Sequence, residues 1–151
     1  MTNWKKMLVA ADGGETSRRA LRFVGEIVGG NEALHICLLY VFPEPPPQFL
    51  QEGGILDQYR QEKELAADRV FTEAIAILTQ MQFPAERITT ACRMTAGETI
   101  SQAILRERAE GDYGIVVVGK RGVSKAEEFL FGSISNTVVR QCNGFAAWVV
   151  S

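Results

Sequence analysis

The sequence predicts an α/β fold, a doubly wound parallel sheet with helices on both faces, and two observations carry this. Short, almost wholly apolar runs alternate along the chain with longer amphipathic ones, the pattern of successive β-α-β units. The strand-like runs LHICLLYV and IVVV are apolar at nearly consecutive positions, where a half-exposed strand would alternate. Such strands need cover on both sides, which a parallel sheet between two helical layers provides.

The elements follow in order. Met7 to Ala11 reads as a first strand. Thr16 or Ser17 is placed to cap a helix whose apolar residues Ala20, Leu21, Val24, Ile27 and Val28 recur at helical spacing, and Gly29-Gly30 stops it. Leu34 to Val41 forms a second strand. Pro43, Pro45, Pro46, Pro47 and Gly53-Gly54 exclude helix and central strand, so an irregular excursion is expected there. A long helix runs from about Asp57 to Met81, with Leu65, Ala67, Val70, Phe71, Ala74, Ile75, Leu78 and Met81 on one face, and Pro84 prevents its continuation. Ile88 to Cys92 is short and mixed, which suits an edge strand. Thr99 to Ala109 is a third helix with Ile100, Ala103 and Ile104 inward. Ile115 to Val118, Ile134 to Cys142 and Phe145 to Val150 complete the chain as strand, helix and strand.

Composition narrows the function classes. A chain of 151 residues with 46% apolar and 23% charged residues has the size and balance of one globular domain, expected to span residues 1–151. A net charge of −2 offers no general attraction to nucleic acid or anionic membrane. No apolar run reaches the length of a transmembrane helix, and MTNWKKMLVAAD lacks the features of a signal peptide, so a cytoplasmic protein is expected. Cys37, Cys92 and Cys142 are odd in number and far apart, which reads as reduced core thiols. His35 is the single histidine, which excludes most catalytic triads and His-rich metal sites.

The most informative stretch is Val118 to Ile134, VGKRGVSKAEEFLFGSI. Gly119, Gly122 and Gly132 stand at G-x2-G-x9-G spacing, and Ser133 follows the last. A strand leads into the first glycine and a helix leaves the last. Glycines let backbone N–H groups turn toward an anion, and a helix start adds unpaired N–H groups and the positive end of its dipole. The segment is therefore a candidate phosphate-holding loop. It is neither the G-x4-G-K-[ST] loop nor the G-x-G-x-x-G fingerprint. In a doubly wound sheet the ligand lies where the winding direction reverses, at the carboxyl ends of strands. If the first and fourth strands are neighbours, Asp12 and Gly119 face one crevice. Asp12 then serves a ribose, a base or a metal, or it is only the turn residue of ADGGE.

With these residues in view, the chain resembles a universal stress protein domain over nearly its whole length. The family's G-2x-G-9x-G-[S/T] pattern is matched by Gly119, Gly122, Gly132 and Ser133. LVAADGGETSRRAL resembles its first strand and acidic turn, LLYV its second strand, and FGSISNTVVRQ its last helix start. The resemblance implies a flavodoxin-like (adenine nucleotide alpha hydrolase-like) five-stranded sheet in the order 3-2-1-4-5. It also implies bound ATP or another adenine nucleotide, with Mg²⁺ or Mn²⁺ as companion ion, and a homodimer formed through the last strand. Carried over by position, Ala11, Asp12 and Val41 meet the adenine and ribose. Val118, Gly119 and Gly122 line the ribose and phosphate region, and Gly132, Ser133 and Ile134 meet the terminal phosphates. Lys120, Arg121 and Lys125 either neutralise phosphate charge or face water, and Glu127 and Glu128 either approach the metal or do the same. The chain departs from the family at Gly14, Met94 and Ala96, and at NGFAAWVV, which puts Trp148 in the last strand.

Hydrolysis needs an activated water as well as a phosphate cradle, and no base for that role stands out. The expectation is a nucleotide-dependent regulatory module with little or no hydrolysis. The competing expectation is a nucleotide-independent homodimer that works through protein contacts. A phosphotransfer or redox module on the same fold lacks its acidic cluster or its flavin loop.

Overall fold

The computed structural model describes residues 2–120 and 134–151. Five strands, β1 (Asn3–Ala10), β2 (His35–Phe42), β3 (Ile88–Met94), β4 (Tyr113–Gly119) and β5 (Ala146–Val150), form one sheet in the order β3-β2-β1-β4-β5. All four pairings are parallel. The helices are α1 (Glu15–Val28), α2 (Pro47–Gln51), α3 (Leu56–Gln80), α4 (Ile100–Glu110) and α5 (134–140). The doubly wound architecture and the strand order are as the sequence and its resemblance predict, and β3 is an edge as its mixed sequence suggests, although at seven residues it is as long as β4.

The buried strand residues divide between two cores, because successive side chains point to opposite sides of a sheet. Met7, Val9, Ile36, Leu38 and Val117 pack under α1 and α3, against Leu21, Val24, Phe71, Ala74 and Leu78. Leu8, Leu39, Val116 and Val118 pack on the other side against Ile104 of α4 and Val138 of α5. The inner strands are consecutively apolar for this reason. Both faces of β1, β2 and β4 are buried.

Several expectations change in detail. Neither Thr16 nor Ser17 caps α1. Its N-cap is Gly14, in extended conformation and without a side-chain cap, and both residues lie inside the first turn. The proline-rich excursion contains α2, which begins at Pro47, because proline's fixed φ and missing N–H are tolerated in the first turn of a helix. The inward face of α3 is narrower than its periodicity implies. Ala67, Phe71, Ala74 and Leu78 are buried, whereas Leu65 is 59% exposed. Thr99 caps α4 with a full capping box: its hydroxyl accepts from the Gln102 N–H, and the Gln102 side chain accepts from the Thr99 N–H.

Of the cysteines, Cys37 is buried and Cys92 and Cys142 are half-buried, and all three are free thiols. Burial, with Glu64 and Asp68 nearby, pushes the Cys92 thiol up, so it stays protonated at neutral pH. His35 opens β2, where its Nε2 lies 3.3 Å from the Thr89 hydroxyl. No helix among the described residues is long and apolar enough to cross a membrane.

Gly114 marks the tightest approach of β1 to β4, beside a register shift between Asn3 and Met7. A Cβ there would stand 2.6 Å from the Asn3 carbonyl oxygen and 2.7 Å from the Trp4 Cα, so backbone itself would have to move. Gly30 has φ +81° but nothing within 4 Å of a Cβ. Gly114→Ala should therefore destabilise by about 2–3 kcal/mol, as overpacking does. Gly30→Ala should cost about 1 kcal/mol, the penalty of a left-handed residue. Urea unfolding of both variants checks this, and the opposite ranking would refute the contact.

Candidate functional site

The sheet reverses its winding between β1 and β4: β1, β2 and β3 proceed to one edge, β4 and β5 to the other. The hydrogen-bond ladder opens at the same place. Pairing of β1 with β4 runs up to Val9 and Val117. Beyond that level β1 stays with β2, through Ala10 opposite Leu39 and an Ala11 N–H that donates to the Leu39 carbonyl at 2.9 Å. Likewise β4 stays with β5, through Gly119 opposite Val150 and a Lys120 N–H that donates to the Val150 carbonyl at 2.7 Å. The two halves part at their carboxyl ends and leave a crevice.

A cavity of about 630 Å³, including its part open to solvent, occupies this crevice. One end is apolar, walled by Leu39, Val41, Ile100, Ile104, Val118 and Ile134. This end continues the core under α4 and α5, to which Val41, Ile100 and Ile134 are packed. The other end is polar, formed by Asp12, Thr16 and Ser17 at the start of α1. Ala10 and Ala11 lie between the two, and their short side chains leave room that larger residues would fill.

The turn after β1 is built from its own hydrogen bonds. The Asp12 carboxylate accepts from the Gly14 N–H at 2.8 Å, an Asx-type turn, and Gly13 between them takes φ +81°. The Asp12 N–H donates to the Ser17 hydroxyl at 3.2 Å. Asp12 is thus the turn residue of ADGGE and also a lining residue of the cavity. The two readings of Asp12 are compatible. Gly14 leaves the α1 N-terminus without a side-chain cap, and Thr16 and Ser17 of its first turn line the cavity.

Of the candidate residues, Ala11, Asp12, Val41, Val118, Gly119 and Ile134 line this one cavity. Lys120 is exposed and continues from β4, with its N–H bound to β5. Arg121, Gly122, Gly132 and Ser133 lie outside the described residues, as do Lys125, Glu127 and Glu128. The sequence reading missed Ala10, Thr16, Ser17, Leu39, Ile100 and Ile104. Ile100 and Ile104 carried a signal, one helical turn apart at the start of α4. Leu39 did too, two residues before Val41 and so on the same face of β2. Among the described residues no three His, Cys, Asp or Glu side chains are grouped to hold a metal ion.

Architecture and crevice together define a doubly wound α/β protein with a cavity at its switch point. Comparison with known proteins gives the family. The family model of the universal stress protein family matches residues 3–144, and the chain belongs to that family. No curated protein sequence matches the chain. Among solved structures it is similar to a universal stress protein in complex with cAMP, at 18% identity and TM-score 0.71 over 98% of this chain and 97% of that one. It is similar to UspA of Lactobacillus plantarum, at 14% identity and TM-score 0.75 over 100% of both chains. It is also similar to the Archaeoglobus fulgidus universal stress protein in complex with dAMP, at 16% identity and TM-score 0.64 over 100% of both.

Gly119 has a packing role that can be separated from any role with a ligand. A Cβ at this position would lie 3.0 Å from the Thr16 Cγ2, on the opposite side of the crevice. Gly119→Ala should cost about 1 kcal/mol and widen the crevice. Thr16→Ser removes the opposing methyl, so the double variant should recover most of that loss. A double-mutant cycle by chemical denaturation measures the coupling, and purely additive effects would show that the two residues do not meet.

Proposed function

We propose that this protein is an ATP-binding universal stress protein, a regulatory or stress-response module with little or no hydrolysis. The observation that carries the reading is the cavity between β1 and β4, apolar at one end and polar at the other, with the G-x2-G-x9-G-S segment leaving its rim at Gly119. The apolar walls around Val41 suit the flat faces of adenine. Asp12 and Ala11 suit the ribose. Val118, Gly119 and Gly122 would line the ribose and phosphate region, the backbone N–H groups of Gly132, Ser133 and Ile134 and the Ser133 hydroxyl would meet the terminal phosphates, and Lys120 and Arg121 would neutralise their charge. Structural relatives solved with cAMP and dAMP support an adenine nucleotide as the ligand. A companion Mg²⁺ or Mn²⁺ would be held mainly by the phosphates themselves.

Low turnover follows from the side chains at hand. His35 lies four residues before Leu39, the nearest lining residue of β2, about 13 Å away at the rise of a strand. Asp12 is committed to the Gly14 N–H. Binding without hydrolysis suits a module whose surface changes with nucleotide and is read by a partner. The free thiols accord with a cytoplasmic setting.

A second reading, a nucleotide-independent homodimer, has its own observation. β5 ends the sheet, and Trp148 on it meets Phe23 of α1 edge-to-face at 5.9 Å. Phe23 is itself partly exposed, as is Ile27 one helical turn on, and Val149 is exposed on the other face of β5. Both readings include a dimer through the segment Phe145 to Val150. They differ in whether nucleotide is needed.

Calorimetric titration of nucleotide-free protein with ATP and Mg²⁺ tests the first reading, and micromolar binding is expected. Gly122→Val should abolish it, and Ser133→Ala should weaken it about fivefold, the loss of one hydroxyl hydrogen bond. A folded protein that binds neither ATP nor AMP would leave the protein-contact reading. Deleting the last strand should abolish any dimer in sedimentation, whereas a truncated chain that stays a soluble dimer would place the interface elsewhere.

A further inference from the structure

Opposite the start of α1, the apolar end of the cavity depends on two segments far apart in sequence. One is the exit of β2, which carries Val41, and the other is the turn from β3 into α4, which carries Ile100 and Ile104. A set of hydrogen bonds joins them. The Thr95 N–H donates to the Phe42 carbonyl at 3.0 Å, and the Glu44 N–H donates to the Thr95 hydroxyl at 3.1 Å. The Glu44 carboxylate then accepts from the Gly97 N–H at 2.6 Å. Thr95 is buried at 3% exposure, and Gly97 takes φ +67°, so the turn is fixed at both ends of its tightest part. The same turn is held on the helix side, where Glu98 pairs with Arg106 at 2.9 Å and Thr99 caps α4.

Glu44 stands three residues after Val41, and Gly97 three before Ile100. The Glu44–Gly97 bond therefore bridges the two walls a few residues outside the cavity, beyond the Phe42–Thr95 bond. Glu44 is not a lining residue of the cavity. Its bond is charge-assisted, the stronger kind, and it runs from a side chain on one segment to the backbone of the other.

We infer that Glu44 is a positioning residue for the ligand cavity: through the Gly97 N–H it holds the start of α4, and hence Ile100 and Ile104, against the β2 exit. The inference rests on the nucleotide reading for its ligand but concerns only the apolar end. It makes a prediction distinct from those for the phosphate loop. Loss of the clasp should weaken the nucleoside part of the ligand, and adenosine should lose as much as ATP.

The test compares Glu44→Ala with Glu44→Gln, whose amide oxygen can still accept from Gly97. Glu44→Ala should weaken adenosine and ATP alike by about fivefold, and Glu44→Gln should stay within about twofold of the parent protein. Hydrogen exchange without nucleotide should show faster exchange at Gly97 and through Ile100 to Ile104 in Glu44→Ala only. Three results would overturn the inference: unchanged adenosine affinity in Glu44→Ala, an equal loss in both variants, or tighter ATP with unchanged adenosine. The last would mean that Glu44 acts by charge alone. If the parent protein binds neither adenosine nor ATP, the nucleotide reading fails, and the exchange result then decides the clasp by itself. Unchanged exchange at Ile100 to Ile104 would refute it.

Discussion

Everything at the functional end of this molecule depends on where the hydrogen-bond ladder between β1 and β4 stops. A strand in a parallel sheet keeps its neighbours only while the connections allow it. Here the connection after β1 leads toward β2, and that after β4 leads toward β5. The ladder holds through Val9 and Val117 and then divides, with Ala11 bound to β2 and Lys120 bound to β5. Pulling the carboxyl ends apart in this way exposes backbone that would otherwise be paired. It also leaves a gap that the flanking helices do not close. Topology alone would put a crevice here in any doubly wound sheet. The side chains decide what it can hold.

They make its two ends unlike. The apolar end is continuous with the core under α4 and α5, at a level where the β1 side chains, Ala10 and Ala11, are small. Burying a flat apolar group there extends the core, with the hydrophobic effect as its driving force. The polar end is formed by Asp12, Thr16 and Ser17, beside the Asx-type turn at Asp12 and the start of α1. A ligand with an apolar face at one end and hydroxyls or charge at the other is the complement of this arrangement. The asymmetry, more than the volume, is what the nucleotide reading rests on.

Much of the fold was legible because the physical signals were local and redundant. Consecutive apolar residues in β2 and β4 demanded two buried faces, and helical spacing in α1 and α4 demanded cover for one. Where signals were local but ambiguous, the sequence misled. Thr16 and Ser17 are good capping residue types, yet Gly14 is the N-cap and Ser17 instead accepts from the Asp12 N–H. Pro47 looked like a helix breaker and is a helix starter, because only its position within a turn separates those roles. Asp12, Val118 and Gly119 could be placed at the crevice since each directly follows a strand or ends one. Ile100 and Ile104 could not, because their part in the cavity depends on how the turn after β3 is held. That geometry comes from Glu44, more than fifty residues earlier.

The two halves of the molecule meet again at β5. Lys120 begins the glycine-containing segment, and its N–H is bound to Val150, the last residue of the edge strand. Gly119, one residue earlier, pairs with the same strand and lies against Thr16 across the crevice. The rim of the cavity is thus one hydrogen bond from the sheet edge, and Trp148 on that edge reaches the outer side of α1 through Phe23. α1 supplies the polar end of the cavity at its N-terminus and meets Trp148 near its middle. Any partner that orders β5, including a second copy of the chain, would act on both rims of the crevice at once, through Lys120 on one side and α1 on the other. The reverse holds by linkage: a ligand that fixes the rims favours one arrangement of the edge. Such a coupling between cavity and edge is a physical route by which binding can become a signal.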